Sequence, residues 1–128
     1  MHGEIQKNLK LIREAMPPSL EEFKGLGLVK DGIYKRLEFA IGLLLEGLME
    51  LAREEDVVVF SYGEAINELE VKGIIQPEIA EKARFLVQLR EVLIYDYDVI
   101  SDEIAFRDME EYLSYVEDVL EALRGAGR

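Results

Sequence analysis

The sequence predicts an all-α protein: an antiparallel bundle of four main helices plus one short helix, dimeric, with residues 1–128 forming a single domain. Three observations carry this expectation. Apolar residues recur at helical spacing over nearly the whole chain. Two Ser-x-x-Glu pairs, Ser19/Glu22 and Ser61/Glu64, have the spacing of helix-opening capping boxes. The one β-branched run, Val57 to Phe60, has no partner strand, and a single strand has no ladder.

Taken in order, Ile5, Leu9, Ile12 and Met16 define a first amphipathic helix, stopped by Pro17-Pro18. Ser19 opens a short helical turn. Residues 25–32, GLGLVKDG, read as a loop. A long helix follows from about Ile33 to Glu54. Its polar positions (Lys35, Glu38, Gly42, Glu46, Glu50, Arg53) form a narrow stripe, so the rest of its surface is wrapped by neighbours. Val57 to Phe60 reads as an extended connector. Ser61 then opens a helix that Gly73 closes. Pro77 suits the first turn of the next helix, which continues to about Tyr95. Ser101 or Asp102 starts the last one. Its apolar face is built from Met109, Tyr112, Leu113, Val116, Val119, Leu120 and Leu123, with Gly125 just past its end.

Composition narrows the function. A chain of 128 residues can bury a real core without staples. With no cysteine, it has neither a disulfide framework nor a thiolate metal site. The N-terminal MHGEIQKNLK is polar and amphipathic, so no secretory signal is expected, and a cytoplasmic location fits. The run from Ala40 to Leu45 is too short for a membrane span, which needs about 18 apolar residues or more. A net charge of −12 argues against broad non-specific nucleic-acid binding, but leaves room for one local basic pocket. The acidic run DYDVISDE lacks the glycine turn and ligand spacing of a cation loop. It reads as a solvated helix junction, and no metal or cofactor is expected. His2, the only histidine, lies near the chain start.

The most informative segment is REVLIYDY, residues 90–97. At roughly 100° per residue, Ile79, Ala83, Leu86, Arg90, Leu93 and Tyr97 fall along one face. Five of these suit a core or an interface. The sixth is a guanidinium, which keeps its charge and is costly to bury unpaired. Arg90 is therefore either paired with a carboxylate such as Glu46 or Glu50, or aimed at an anion. Phe85, Leu86, Val87, Leu89, Val92, Leu93 and Ile94 make the same helix apolar nearly all round, more than one core contact needs. A homodimer through this helix is expected.

Three pieces in this order, IYKRLEFAIGLLLEGLMELA, FSYGEAINELEVKGII and FLVQLREVLIYDYDVI, resemble the HepT-like branch of the HEPN superfamily over roughly residues 30–123. In that family the last piece reads arginine, asparagine, two or three apolar residues, histidine, any residue, tyrosine. The resemblance implies a metal-independent endoribonuclease toxin, whose two subunits join their motifs in one cleft for single-stranded RNA. It also implies a minimal nucleotidyltransferase antitoxin as partner, which silences the toxin by transferring AMP to the motif tyrosine. Arg90 matches the motif arginine and Tyr97 the motif tyrosine. Tyr95 occupies the histidine position and Glu91 the asparagine position, with Asp96 flanking. Cleavage through a 2′-hydroxyl needs a group that exchanges a proton near neutrality. Histidine, titrating at about 6.5, does so; a phenol titrating at about 10 is a poor base. Glu91 adds negative charge beside the phosphate-binding arginine. The implied activity is thus a weakened or lost ribonuclease. The alternative is a non-catalytic dimeric module that binds a nucleotidyltransferase or a nucleotide. Tyr95 is then either a stand-in general acid or a plain replacement, and Tyr97 either an AMP acceptor or a core aromatic.

Overall fold

Six α-helices and one 3₁₀ turn make up the computed structural model, which describes residues 1–127. The helices are α1 (His2–Ala15), α2 (Leu20–Lys24), α3 (Leu28–Glu54), α4 (Tyr62–Val71), α5 (Pro77–Tyr95) and α6 (Asp102–Gly127), with the 3₁₀ turn at Tyr97–Val99. The all-α bundle expected from the sequence is observed, with α1, α3, α5 and α6 as its long members and α2 and α4 as shorter ones. No strand occurs among the described residues. No helix among them is long and apolar enough to cross a membrane.

Local chemistry sets the boundaries. Met16 turns to extended backbone (ψ 124°), as a residue before proline must, and α1 ends there. The Ser19 and Ser61 hydroxyls accept hydrogen bonds from the backbone N–H of Glu22 (3.2 Å) and Glu64 (3.1 Å), capping α2 and α4. Glu64 also accepts from the backbone N–H of Phe60 at 2.7 Å. Ser101 caps α6 through the N–H of Ile104, at 3.2 Å. In the connector, Val57 and Val59 turn inward while Val58 and Phe60 face solvent, as extended backbone requires.

Two boundaries depart from expectation. Of the expected loop at 25–32, only residues 25–27 lie outside a helix. Gly27, at φ 62°, takes the left-handed conformation that reverses the chain, and α3 begins at once. Leu28 and Val29 stand in solvent, so no apolar rhythm announces this turn. At the other end α6 continues through Gly125 to Gly127, and Ala126 of this last turn still packs against the core.

The helix α3, about 40 Å long at 1.5 Å per residue, is the spine. It packs against α1, α4, α5 and α6. Its Leu37, Ile41, Leu44, Leu45 and Leu48 are fully buried, each stabilising the fold by roughly 1.5–3 kcal/mol. Gly47 lets α6 approach: a Cβ there would lie 2.7 Å from Leu123 Cδ2. Outer ties are polar. Arg13 of α1 reaches both Glu110 and Glu117 of α6, each at 2.7 Å. Buried Asn8 donates to the Glu4 carbonyl and accepts from Arg36.

At the start of α6, Asp102 accepts from Lys30 Nζ (2.6 Å) and from the Tyr34 hydroxyl (2.8 Å), both on α3. Burial pushes its carboxyl up, but the Lys30 ammonium and Tyr34 hydroxyl outweigh burial and hold it below the usual carboxylate range. A carboxyl depressed on folding stabilises above its unfolded pKa, and that contribution is lost as pH falls through the folded value. Asp102→Asn is therefore expected to lower Tm by a few degrees near neutrality. The effect fades below about pH 4, as thermal unfolding followed by circular dichroism across pH will report. An effect of Asp102→Asn that grows on acidification contradicts this assignment.

Candidate functional site

The apolar stripe of α5 becomes its core face: Ala80, Ala83, Leu86 and Leu93 are buried. Arg90 projects from that same face, between Leu86 and Leu93, and is half-buried against α3. What it meets there is Gly42. A Cβ at this position would lie 3.1 Å from Arg90 Nε, 3.5 Å from Nη2 and 3.6 Å from Cζ. The missing side chain of Gly42 is the seat of the guanidinium. On the other side lies the Tyr62 ring of α4, its centroid 5.9 Å from Arg90 Cζ, within cation–π range.

No carboxylate answers this charge. Glu46 accepts from the Tyr62 hydroxyl at 2.6 Å, and Glu50 pairs with Arg53 at 3.2 Å. Arg90 forms no ion pair among the described residues, and its Nε is buried without a hydrogen-bond partner. Leaving a buried donor unpaired costs on the order of 1–3 kcal/mol. The Tyr62 hydroxyl is pushed up by burial and by its bond to Glu46, while Arg90 opposes the shift. A cation seated on a glycine, flanked by an aromatic ring and lacking a counter-charge, is suited to an anion arriving from outside. Beside it, Glu46, Met49, Phe60, Tyr62, Val87 and Glu91 line an open concavity.

The other motif positions lie elsewhere. Tyr95 is the last residue of α5 and is 78% exposed. Asp96 ends the helix at φ −124°, ψ 32°, its side chain in solvent. The helix therefore stops before Tyr97, which sits in the 3₁₀ turn. The Tyr97 ring meets Tyr34 edge-on, with centroids 5.6 Å apart, and its hydroxyl donates to Asp31. Burial and the Asp31 carboxylate push that hydroxyl well above the usual phenol range. Asp31 and Gly42 are eleven residues apart on α3, about 16 Å along its axis. Within one chain, then, Arg90 and Tyr97 occupy two places along the same α3 face. Tyr97 shares its concavity with Asp31, Tyr34, Lys35 and Glu38.

Sequence reasoning missed Gly42, Tyr62 and Asp31. Gly42 carried a signal: a glycine inside a long wrapped helix, one turn from Glu38 and from Glu46, marks a close approach. Tyr62 and Asp31 carried none, since each gains its meaning from a residue far along the chain.

Comparison with known proteins agrees with this architecture. A protein from Thermus thermophilus of known crystal structure superposes with a TM-score of 0.69 at 23% identity, covering 94% of this chain and 98% of its own. A crystal structure described as a toxin–antitoxin with AMP-PNP superposes with a TM-score of 0.61 at 14% identity, covering 96% of this chain and 99% of the other. At these identities the likeness is one of fold. No curated protein matches the sequence significantly. A family model described as ribonuclease HepT-like matches residues 5–123, from the first buried residue of α1 to the last of α6. The chain therefore belongs to the HepT-like family of the HEPN superfamily.

Proposed function

We propose that this protein is the toxin component of a HepT-type toxin–antitoxin pair: a cytoplasmic homodimer whose Arg90 residues line a cleft for single-stranded RNA. The observation that carries the reading is the unpaired guanidinium of Arg90, with its orphaned Nε seated on Gly42. In RNA cleavage the 2′-hydroxyl loses a proton and attacks the adjacent phosphorus, while the departing 5′-oxygen gains one. Arg90 would neutralise the charge that develops on the phosphoryl oxygens. The proton carrier is the weak part. Tyr95 is largely in solvent and makes no hydrogen bond among the described residues, so nothing there prepares a phenol to act as a base. This favours a weakened or silent ribonuclease, and it supports a second reading in which the dimer binds a nucleotidyltransferase or a nucleotide without cutting.

Tyr95→His combined with Glu91→Asn supplies a base titrating near neutrality and removes a carboxylate beside Arg90. The double variant is expected to cleave single-stranded RNA in EDTA at least ten times faster than wild type, and to lose that activity with Arg90→Ala. Cleavage no greater than wild type in a folded variant leaves the non-catalytic reading.

The dimer rests on the outward side of α5. Leu93 belongs to the core, whereas Phe85, Val92, Ile94 and Tyr95 stand exposed, as do Val99 and Ile104 nearby. Val92→Asp is expected to give a folded monomer where wild type is a dimer by light scattering; a monomeric wild type at micromolar concentration contradicts this.

Tyr97 is the proposed acceptor of AMP from a minimal nucleotidyltransferase. In that transfer the Tyr97 oxygen would bond to the α-phosphorus of ATP as the bond to pyrophosphate breaks, and the phenol proton would pass to Asp31, which already accepts its hydrogen bond. Incubation with an active minimal nucleotidyltransferase of this type and magnesium-ATP is expected to add one AMP mass to a peptide containing Tyr97, absent in Tyr97→Phe. An adduct on Tyr95 excludes the assignment.

A further inference from the structure

The chain carries −12, and a strongly acidic protein gains little from displacing counterions along a phosphate backbone. If Arg90 faces RNA, most of the grip must come from something other than charge. The surface beside it offers that alternative. Phe60 is 87% exposed, although it is a large aromatic in a chain that buries most of its apolar residues. It is not loose: its backbone N–H is held by Glu64 at 2.7 Å, and it immediately precedes Ser61, which caps α4. The flanking Val59 is packed against the core. A fixed backbone thus carries an aromatic ring into solvent, and nothing in the fold uses that ring. Phe60 lines the same concavity as Tyr62, whose ring lies against the Arg90 guanidinium.

We infer that this concavity is a nucleobase subsite, with Phe60 as its stacking platform and Arg90 as the phosphate contact beside it. The inference rests on the proposed reading of Arg90 as facing RNA. Every base has a π-face, and base–aromatic stacking contributes without needing positive charge. Glu46 and Glu91, which only repel a phosphate, gain a role here. One oxygen of Glu46 takes the Tyr62 hydroxyl, and Glu91 is exposed at the rim. Carboxylates accept hydrogen bonds from exocyclic amino groups, whereas uracil offers only an N3–H between two carbonyl oxygens that a carboxylate repels, so the subsite prefers adenine, cytosine or guanine over uracil. The pocket holds a base through Phe60 and reads its amino edge, while Arg90 holds the neighbouring phosphate.

The chain has no tryptophan, so Phe60→Trp installs a single reporter at this position. Titration with a hexa-adenylate RNA, or with AMP, is expected to quench its fluorescence, while ribose 5-phosphate leaves it unchanged. Hexa-uridylate should bind about ten-fold more weakly, and adding Arg90→Ala should weaken both RNAs. Phe60→Ala in the native background should weaken hexa-adenylate binding about ten-fold by fluorescence anisotropy. RNA that binds in an Arg90-dependent way without moving the introduced indole overturns the subsite and leaves the Arg90 reading intact. No binding of any nucleotide or RNA removes both. A Phe60→Ser variant that is monomeric where wild type is dimeric overturns the subsite as well, because the ring is then covered by a second copy.

Discussion

A guanidinium on the core face of a helix needs room as well as a partner, and Gly42 gives Arg90 the room while its Nε is left without the partner. A Cβ at that position would lie 3.1 Å from Arg90 Nε, so even an alanine there would press the guanidinium a few tenths of an ångström off its seat. The glycine costs the middle of α3 some helix propensity, on the order of 0.5–1 kcal/mol relative to alanine. The spine can bear that loss because it is buried against four other helices. The site thus depends on a stable α3, and α3 depends on the leucine packing around it rather than on its own backbone preference.

Along this spine the polar stripe carries two clusters. Near its start Asp31 holds the Tyr97 hydroxyl, with Lys30 and Tyr34 fastening the N-terminus of α6 through Asp102. Further along, Gly42 seats Arg90 and Glu46 fixes Tyr62. The two clusters are separate within one chain, so any chemistry linking Tyr97 to Arg90 has to span that distance, through an attached nucleotide or across a dimer cleft. Of the exposed apolar residues of α5, Val92, Ile94 and Tyr95 lie near the 3₁₀ turn, whereas Phe85 lies mid-helix.

Helix identity was legible in the sequence because apolar periodicity, Ser caps and Pro77 are local signals that point to the same answer. The core face of α5 could be read residue by residue, from Ala83 through Leu93, and Arg90 stood out as the one charge on it. What lay over Arg90 could not be read. Gly42 appeared only as a gap in a polar stripe, and its partner lies 48 positions away, since 90 − 42 = 48. Projecting the α5 face onward also placed Tyr97 beside Arg90, whereas the chain leaves the helix at Asp96. Periodicity describes a face only while the helix lasts. The Asp31 bond joins residues 66 apart, beyond any local rule. Glu46 and Glu50 were reasonable counter-charges for Arg90 by composition. Each instead found a nearer donor, in Tyr62 and Arg53.

The central claim is that the Arg90 guanidinium stays unpaired in the free protein and is completed by a phosphate. Its Nε–H gives a distinct ¹H–¹⁵N resonance, assignable by its loss in Arg90→Lys. On addition of AMP or inorganic phosphate, the account predicts a downfield shift of this proton, as a charge-assisted hydrogen bond forms. The response should be blunted in Gly42→Ala, where an added methyl displaces the guanidinium while the helix keeps its stability. A resonance that ignores both ligands, or that already follows the titration of a carboxylate in the free protein, would contradict the account and return Arg90 to a structural role.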